Sequence, residues 1–441
     1  MNTIVVSRSP KKKKPPIMTK TDTVIVGAGP YGLSLAAHLA HHGVSFRIFG
    51  DPMDTWLNHM PEGMLLKSDG FASNLSSPNN AFTLKDYCAG KNIPYHDTDI
   101  PVQLSTFTQY GLAFQESQVP MLERNQVVEV HQAPNGFKVL LDSGELLLTR
   151  RVVLAIGITH YAFVPEVLRA IDESLVTHSS GDKDTRRFVG KDVSIIGSGA
   201  SSIDLAVLLR ESGAKVRIIT RKGGLRFHEG PSANTSLWNK LRHPQSGIGP
   251  GWRSRLFTDF PRLFRLLPAK MRLEIVRRHL GPAAGYPMKQ RTEGKVEVVP
   301  WSHVEFASEN EGRAVLVIRN QNGERREIET DHVISATGYR PDMNRLVFLS
   351  QTIRQSIRTV EGSSDLSQNF ESSVPGLYFV GLSAATTFGP MMRFAYGADY
   401  TATRLGKHLA ATAEAVRAET NAAAKVELEL QPQSYPKQRL S

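Results

Sequence analysis

The 441-residue sequence predicts an α/β chain of two doubly wound units, the second inserted in the first. Three observations predict it. Residues Val24 to Gly43 read as a buried strand, a glycine-rich turn and a helix, and Asp192 to Leu209 repeat that order. Two further strand ends, Ala155-Ile156-Gly157 and Ala336-Thr337-Gly338, mark where the chain leaves one unit and returns to it. The pattern is that of two Rossmann-like dinucleotide-binding domains of the three-layer ββα type.

In the first unit the turn is Gly27-Ala-Gly29-Pro-Tyr-Gly32. Gly27 makes the bend, Gly29 lets the backbone approach a pyrophosphate, and Gly32 lets helix pack on strand. The helix N-terminus adds free N–H groups and a positive dipole end. A second strand, Val44 to Phe49, ends at Gly50-Asp51. An acid at that strand end binds a ribose hydroxyl; Asp51 stands one residue late, so it either does this or caps the next turn.

Residues 52 to 120 lack strand–helix alternation and read as loop-rich material over a site, with one helix from Leu84 to Lys91. A β-meander follows over residues 126–148, and Arg151 to Ile156 closes the first half.

The second turn has Gly197, Gly199 and Ser202 where the three glycines stood. Its next strand, Lys215 to Thr220, ends in Arg221-Lys222 rather than in an acid. Arginine can grip a ribose 2′-phosphate, so the second nucleotide is expected to be NADPH and the first FAD; the alternative is that both cations are solvated strand-end charges. An insert at 223–295 reads as helices over residues 256–266 and 271–280 with arginines between, either a basic surface for peripheral membrane contact or for the tail of an anionic substrate, or an ordinary insert with a solvated face. Strands return from Val296, then a strand at His332, a strand from Gly376 to Gly381 and a helix from Arg393 to Leu409. The expected division is a disordered basic tail (1–20), the FAD domain (21–160 and 331–412), the NADP domain (161–330) and a flexible C-terminal tail (413–441).

Composition narrows the field. One cysteine, Cys88, excludes a disulfide framework and a CxxC redox pair. The net charge of +11 invites a nucleic-acid reading, but residues 221–295 hold sixteen Lys and Arg against four Asp and Glu, with no nucleic-acid motif and no stacking series of aromatics. No apolar run reaches spanning length, and the stretch SRSPKKKKPP is polar and basic rather than an apolar signal sequence, so a cytoplasmic protein without a membrane span is expected.

The ordered set of GAGPYG, Ala155-Ile-Gly157, Thr177-His178-Ser179, GSGASS and Ala336-Thr-Gly-Tyr339 resembles the flavin-containing monooxygenase superfamily, N-hydroxylases included, over roughly residues 20 to 410. The resemblance implies that NADPH reduces FAD and that a flavin hydroperoxide passes one oxygen atom from O₂ to an amine or sulfide of a small organic substrate. It implies that Trp56 lies in a flavin loop, that Asn74 stands beside the reactive flavin, and that Gly338 and Gly381 close strand ends against the cofactors. Read from its own neighbourhood, Asn74 is equally a turn residue before Leu75. Only His178 and Ser179 remain of the family fingerprint ahead of the second turn, where Asp172, Ser174 and Asp182 replace its aromatics and glycine. Two rivals stay open: an NADPH-dependent flavoprotein reductase with a non-disulfide acceptor, and a non-catalytic flavin redox sensor. No metal site is expected.

Overall fold

The computed structural model describes residues 18–228, 241–279 and 283–429. The first unit opens with β1 (Met18–Val26), α1 (Pro30–His41) and β2 (Phe46–Phe49), then α2 (Asp54–Asn58), α3 (Leu84–Gly90) and α4 (Leu104–Gln118). The meander is β3 (Val127–Ala133), β4 (Gly136–Leu141) and β5 (Leu146–Leu154). β5 does double duty. Its first half pairs antiparallel with β4, while both halves run parallel to β1 on the other side.

Two expectations need correction here. Met18, Thr19 and Lys20, assigned above to a disordered tail, are strand residues paired with Leu146, Leu147 and Leu148. Residues 52–120 are not all loop: α4 is a fifteen-residue helix whose Phe107, Tyr110 and Phe114 are fully buried. Its polar Gln and Ser residues and central Gly111 mask a three-to-four-residue apolar spacing, and burial of three aromatics outweighs weak intrinsic propensity.

The second unit contains β6 (Val176–His178), β7 (Asp192–Ile196), α5 (Ala200–Glu211) and β8 (Lys215–Ile219). Its insert holds α6 (Trp252–Asp259), α7 (Pro261–Phe264), α8 (Ala269–Arg278) and α9 (Pro287–Thr292). Then come β9 (Glu297–Val299), β10 (Ser302–Asn310), β11 (Arg313–Asn320), β12 (Arg325–Thr330) and β13 (His332–Ser335). The sheet order is β6-β13-β7-β8-β9, all parallel. β13 is therefore a central strand of the second sheet, not the start of the returning first domain at residue 331. Its four residues are all buried, which the sheet's covered centre requires. α5 packs on one face through Leu205 and Leu209, and the β10–β12 sheet covers the other through Leu316 and Ile328.

The chain returns through α10 (Gln351–Ser356), the short pair β14 (Thr359–Val360) and β15 (Ser363–Ser364), β16 (Leu377–Phe379), α11 (Ala385–Phe388) and α12 (Gly397–Glu429). β16 pairs parallel with β5, completing the first sheet. The stretch expected as a flexible tail from 413 is in helix to Glu429, continuing α12; residues 430–441 lie outside the described residues. α12 docks on α1, where Ser76 Oγ donates to Asp399 Oδ1 at 2.7 Å and meets His38 Nε2 at 2.9 Å.

Candidate functional site

Both turns have the form that a dinucleotide requires. Gly27 has φ +106°, and a Cβ there would stand 2.3 Å from the Ala155 carbonyl oxygen; at Gly32 it would stand 2.0 Å from the Gly27 oxygen. At Gly29, by contrast, the Cβ direction is open, with nothing within 4 Å. The turn thus leaves space where a pyrophosphate would lie, in front of an α1 N-terminus without a side-chain cap. In the second turn Gly197 has φ +127°, and a Cβ there would stand 2.4 Å from the Ala336 carbonyl oxygen. Gly199 caps α5 with no side-chain bond, and Ser202 is buried, its hydroxyl donating to the Gly197 oxygen at 2.7 Å. The residues present fit one dinucleotide at each turn.

The carboxyl ends of both parallel sheets open on one cleft of about 2150 Å³. The second unit contributes Gly199, Ser201, Arg221 and the run Ala336 to Arg340; the first contributes Ile158, Leu382, Thr386 and Arg393. Two ties hold the loop after α2 across to the second unit. Lys67 Nζ bonds the buried Asp204 of α5 at 2.5 Å, and His59 Nδ1 meets the Ser180 carbonyl at 2.9 Å. Neither tie shows in the sequence, because each joins residues more than a hundred positions apart.

The cleft wall is cationic. Burial, then Arg277 and Arg221, holds the Arg340 guanidinium below its ordinary value, and Arg340 lies over the Phe163 ring at 3.4 Å. Burial, then Arg226 and Arg221, lowers Lys222. Arg277 pairs with Glu361 at 2.8 Å, whereas Arg221, Lys222 and Arg340 have no acidic partner among the described residues and could receive an anion. Arg340 and Arg277 escaped the sequence reading; the run Gly338-Tyr339-Arg340 at a strand end was the available signal.

The other predicted residues fall as follows. Asp51 is exposed beyond β2, and its Oδ2 accepts from Gln126 Nε2 at 2.9 Å. Trp56 is half-buried on α2 and meets Phe107 edge-to-face at 4.8 Å. Gly338 follows β13 in the cleft wall, and Gly381 follows β16 beside the Tyr31 ring. His178 is buried and bridges Ser180 Oγ at 2.8 Å and the Gly338 oxygen at 3.1 Å, with burial pushing its pKa down. Asn74 spends its amide within its own loop: Oδ1 accepts from the Leu84 N–H at 2.8 Å and Nδ2 donates to the Phe71 oxygen at 3.0 Å. These are the bonds of a turn residue holding the start of α3, and the cleft wall takes Ala72 but not Asn74. Arg393 Nη1 donates to the Val276 and His279 oxygens at 3.1 and 3.3 Å, so it caps α8 rather than pairing with an acid. Cys88 is buried, and no group of metal-ligating side chains occurs among the described residues.

Two glycine turns of this form, the second lining a cleft whose wall also takes Ile158 after β5 and Leu382 after β16, define a two-dinucleotide oxidoreductase fold. The profile of the pyridine nucleotide-disulphide oxidoreductase family matches residues 24–244, and the chain belongs to that family. Among curated proteins it is 27% identical over 211 residues to a ferredoxin–NADP reductase of Ignicoccus hospitalis, covering 46% of this chain and 58% of that protein. It is 28% identical over 207 residues to the indole-3-pyruvate monooxygenase YUCCA1 of Oryza sativa subsp. japonica, covering 45% and 47%. The chain thus spans about half the length of these curated relatives. It shares its fold with the FAD-bound cadaverine monooxygenase of desferrioxamine biosynthesis from Erwinia amylovora, at TM-score 0.69 and 19% identity over 89% of this chain and 94% of that one. The resemblance to flavin-dependent monooxygenases therefore holds in the fold. No helix among the described residues is long and apolar enough to cross a membrane.

Proposed function

We propose that the chain is an FAD- and NADPH-dependent monooxygenase that inserts one atom of O₂ into an amine or sulfide of a small organic molecule. The observation that carries this reading is the cleft lined by the second turn and by the strand ends after β5 and β16, where the redox ends of two dinucleotides would come within reach of a third molecule. Gly27, Gly29 and Gly32, with Asp51, Trp56 and Gly381, hold FAD. Gly197, Gly199 and Ser202, with Arg221, Lys222 and Gly338, hold NADPH, and the two cations meet its 2′-phosphate.

Bound FAD supplies the oxygen chemistry and bound NADPH the reducing equivalents. The protein's part is binding, orientation and exclusion of water. The Lys67–Asp204 and His59–Ser180 ties keep the loop after α2 against the second unit, which shields the cleft. His178 positions the strand end at Gly338, and burial disfavours its charged form.

A flavoprotein reductase is the second reading, favoured by the similarity to a ferredoxin–NADP reductase. One experiment separates the two. The purified flavoprotein is supplied with NADPH and O₂ and screened against amines and sulfides, with NADPH use, hydrogen peroxide and oxygenated product measured together. Oxygenated product in step with NADPH use is the expected result. NADPH use that rises only with a one-electron carrier, with no oxygenated product from any amine or sulfide, would make the protein a reductase.

A further inference from the structure

The helical insert has two apolar faces. The inward one packs on the first unit: Phe257, Phe264 and Leu273 are buried, and the Phe257 and Phe264 rings meet edge-to-face at 5.5 Å. The outward one is bare. Trp252 is 61% exposed, Leu256 52%, Phe260 53%, Leu263 55% and Leu266 75%. These residues recur every three or four positions, so they form a stripe along α6 and across α7, opposite the packed side. Isolated exposed apolar residues need no explanation; a run of five on one short insert does.

Cations flank the stripe. From Trp252 to Arg278 the sequence holds eight Lys and Arg against Asp259 and Glu274. Arg255 pairs with Asp259 and Arg278 with Glu274, which occupies both acids. Arg253, Arg262 and Lys270 are exposed and have no acidic partner among the described residues.

We propose that this face docks on an anionic lipid surface, with the Trp252–Leu266 stripe entering the boundary between headgroups and acyl chains and the free cations meeting lipid phosphates. Three features favour lipid. The apolar side chains project singly, each about half exposed or more, whereas the anchors of protein interfaces sit in well-packed pockets. A second copy of the chain would oppose two surplus-positive faces across the contact, which costs repulsion. An amphipathic stripe bordered by Arg and Lys is the pattern that binds anionic bilayers. α8 carries the insert on into the cleft wall at Leu273, Val276 and Arg277, so the docked face lies beside the cleft. The proposal stands independently of the reaction that occurs there.

The test is co-sedimentation of the full flavin-loaded chain with vesicles of phosphatidylcholine alone and of phosphatidylcholine with phosphatidylglycerol. Binding is expected only to the anionic vesicles, weakening as salt is raised. The Leu256→Glu/Leu263→Glu variant should lose at least about tenfold in partitioning while keeping its flavin absorbance and Tm. Arg253→Ala and Arg262→Ala should each lose about fivefold. Failure of the native chain to bind anionic vesicles at low salt would overturn the proposal. So would undiminished binding by Leu256→Glu/Leu263→Glu and by Leu266→Glu, which would place the contact elsewhere, for instance at the lysine run 11–14. Dimers seen by light scattering and abolished by the same variants, or retention by an immobilised acidic ferredoxin, each without vesicle binding, would reassign the face to a protein partner.

Discussion

The two nucleotide turns solve one problem with different residues. Both follow a strand that carries an aspartate five positions before the first glycine, and each aspartate is held by a buried arginine from a neighbouring strand: Asp22 by Arg151 at 2.5 Å, Asp192 by Arg217 at 2.6 Å. Both first glycines press on a carbonyl of the adjacent strand's exit, Ala155 in one and Ala336 in the other. They part at the third position. Gly32 leaves no room for a Cβ, whereas Ser202 fits and closes its turn with a hydrogen bond. A helix can thus be fixed to its turn by absence of a side chain or by a hydroxyl, and the sequence shows only that the third residue is small.

Exchanging those residues is the sharpest way to break the comparison. Gly32→Ser should cost at least about 4 kcal/mol or prevent flavin loading, because the nearest atom is backbone that cannot yield. Ser202→Gly should cost only about 1–2 kcal/mol, for one hydrogen bond and added backbone freedom. Urea unfolding and flavin content measure both. Equal costs would mean that the turns are closed alike.

The second sheet also carries buried histidines that the first sheet's β5 lacks. Burial, then Arg187 and Lys191, pushes His332 on β13 down to about 4. Above pH 7 it is neutral folded and unfolded. Below about 6.5 the unfolded chain takes the proton first, so stability falls as pH drops from about 6.5 to 4, by up to about 3 kcal/mol, and then levels. Tm followed from pH 7 to pH 5 should fall, and His332→Asn should flatten that fall; an unaltered slope would put the acid sensitivity elsewhere.

A smaller effect separates the strand ends. Arg221→Ala should raise the Kd for NADPH roughly 10- to 100-fold and leave NADH nearly unchanged, read by flavin reduction at varied nucleotide. Equal losses would show that Arg221 does not meet a 2′-phosphate. The least effect is expected at Asn74. Losing its bond to Leu84 N–H should cost about 1 kcal/mol with the ratio of product to NADPH intact. A rise in peroxide at the expense of product would return Asn74 to the reaction itself.

Much of this was legible along the chain, and for local reasons. Strand–turn–helix units, glycine spacing and the sign of the charge after β8 all lie within about 30 residues of one another. What was missed was carried by distance. α4 is helical because Phe107, Tyr110 and Phe114 find the first unit's core, while its own residue preferences are weak. β13 was placed in the returning first domain because a strand's sequence names its burial but not its neighbours; its pairing with Val176 and Val193 decides the sheet.

The sequence by itself determined that two dinucleotide folds exist, that no dithiol serves them, and that the insert is basic, because each of these is a matter of residue type and short spacing. Only the tertiary structure decided that both folds empty into one cleft, that Lys67 and Asp204 tie its walls together, that Asn74 spends its amide on its own loop, and that the insert turns an apolar stripe outward. Those four facts depend on which distant segments share surface. Burial and pairing across the fold settle that, and no local pattern contains it.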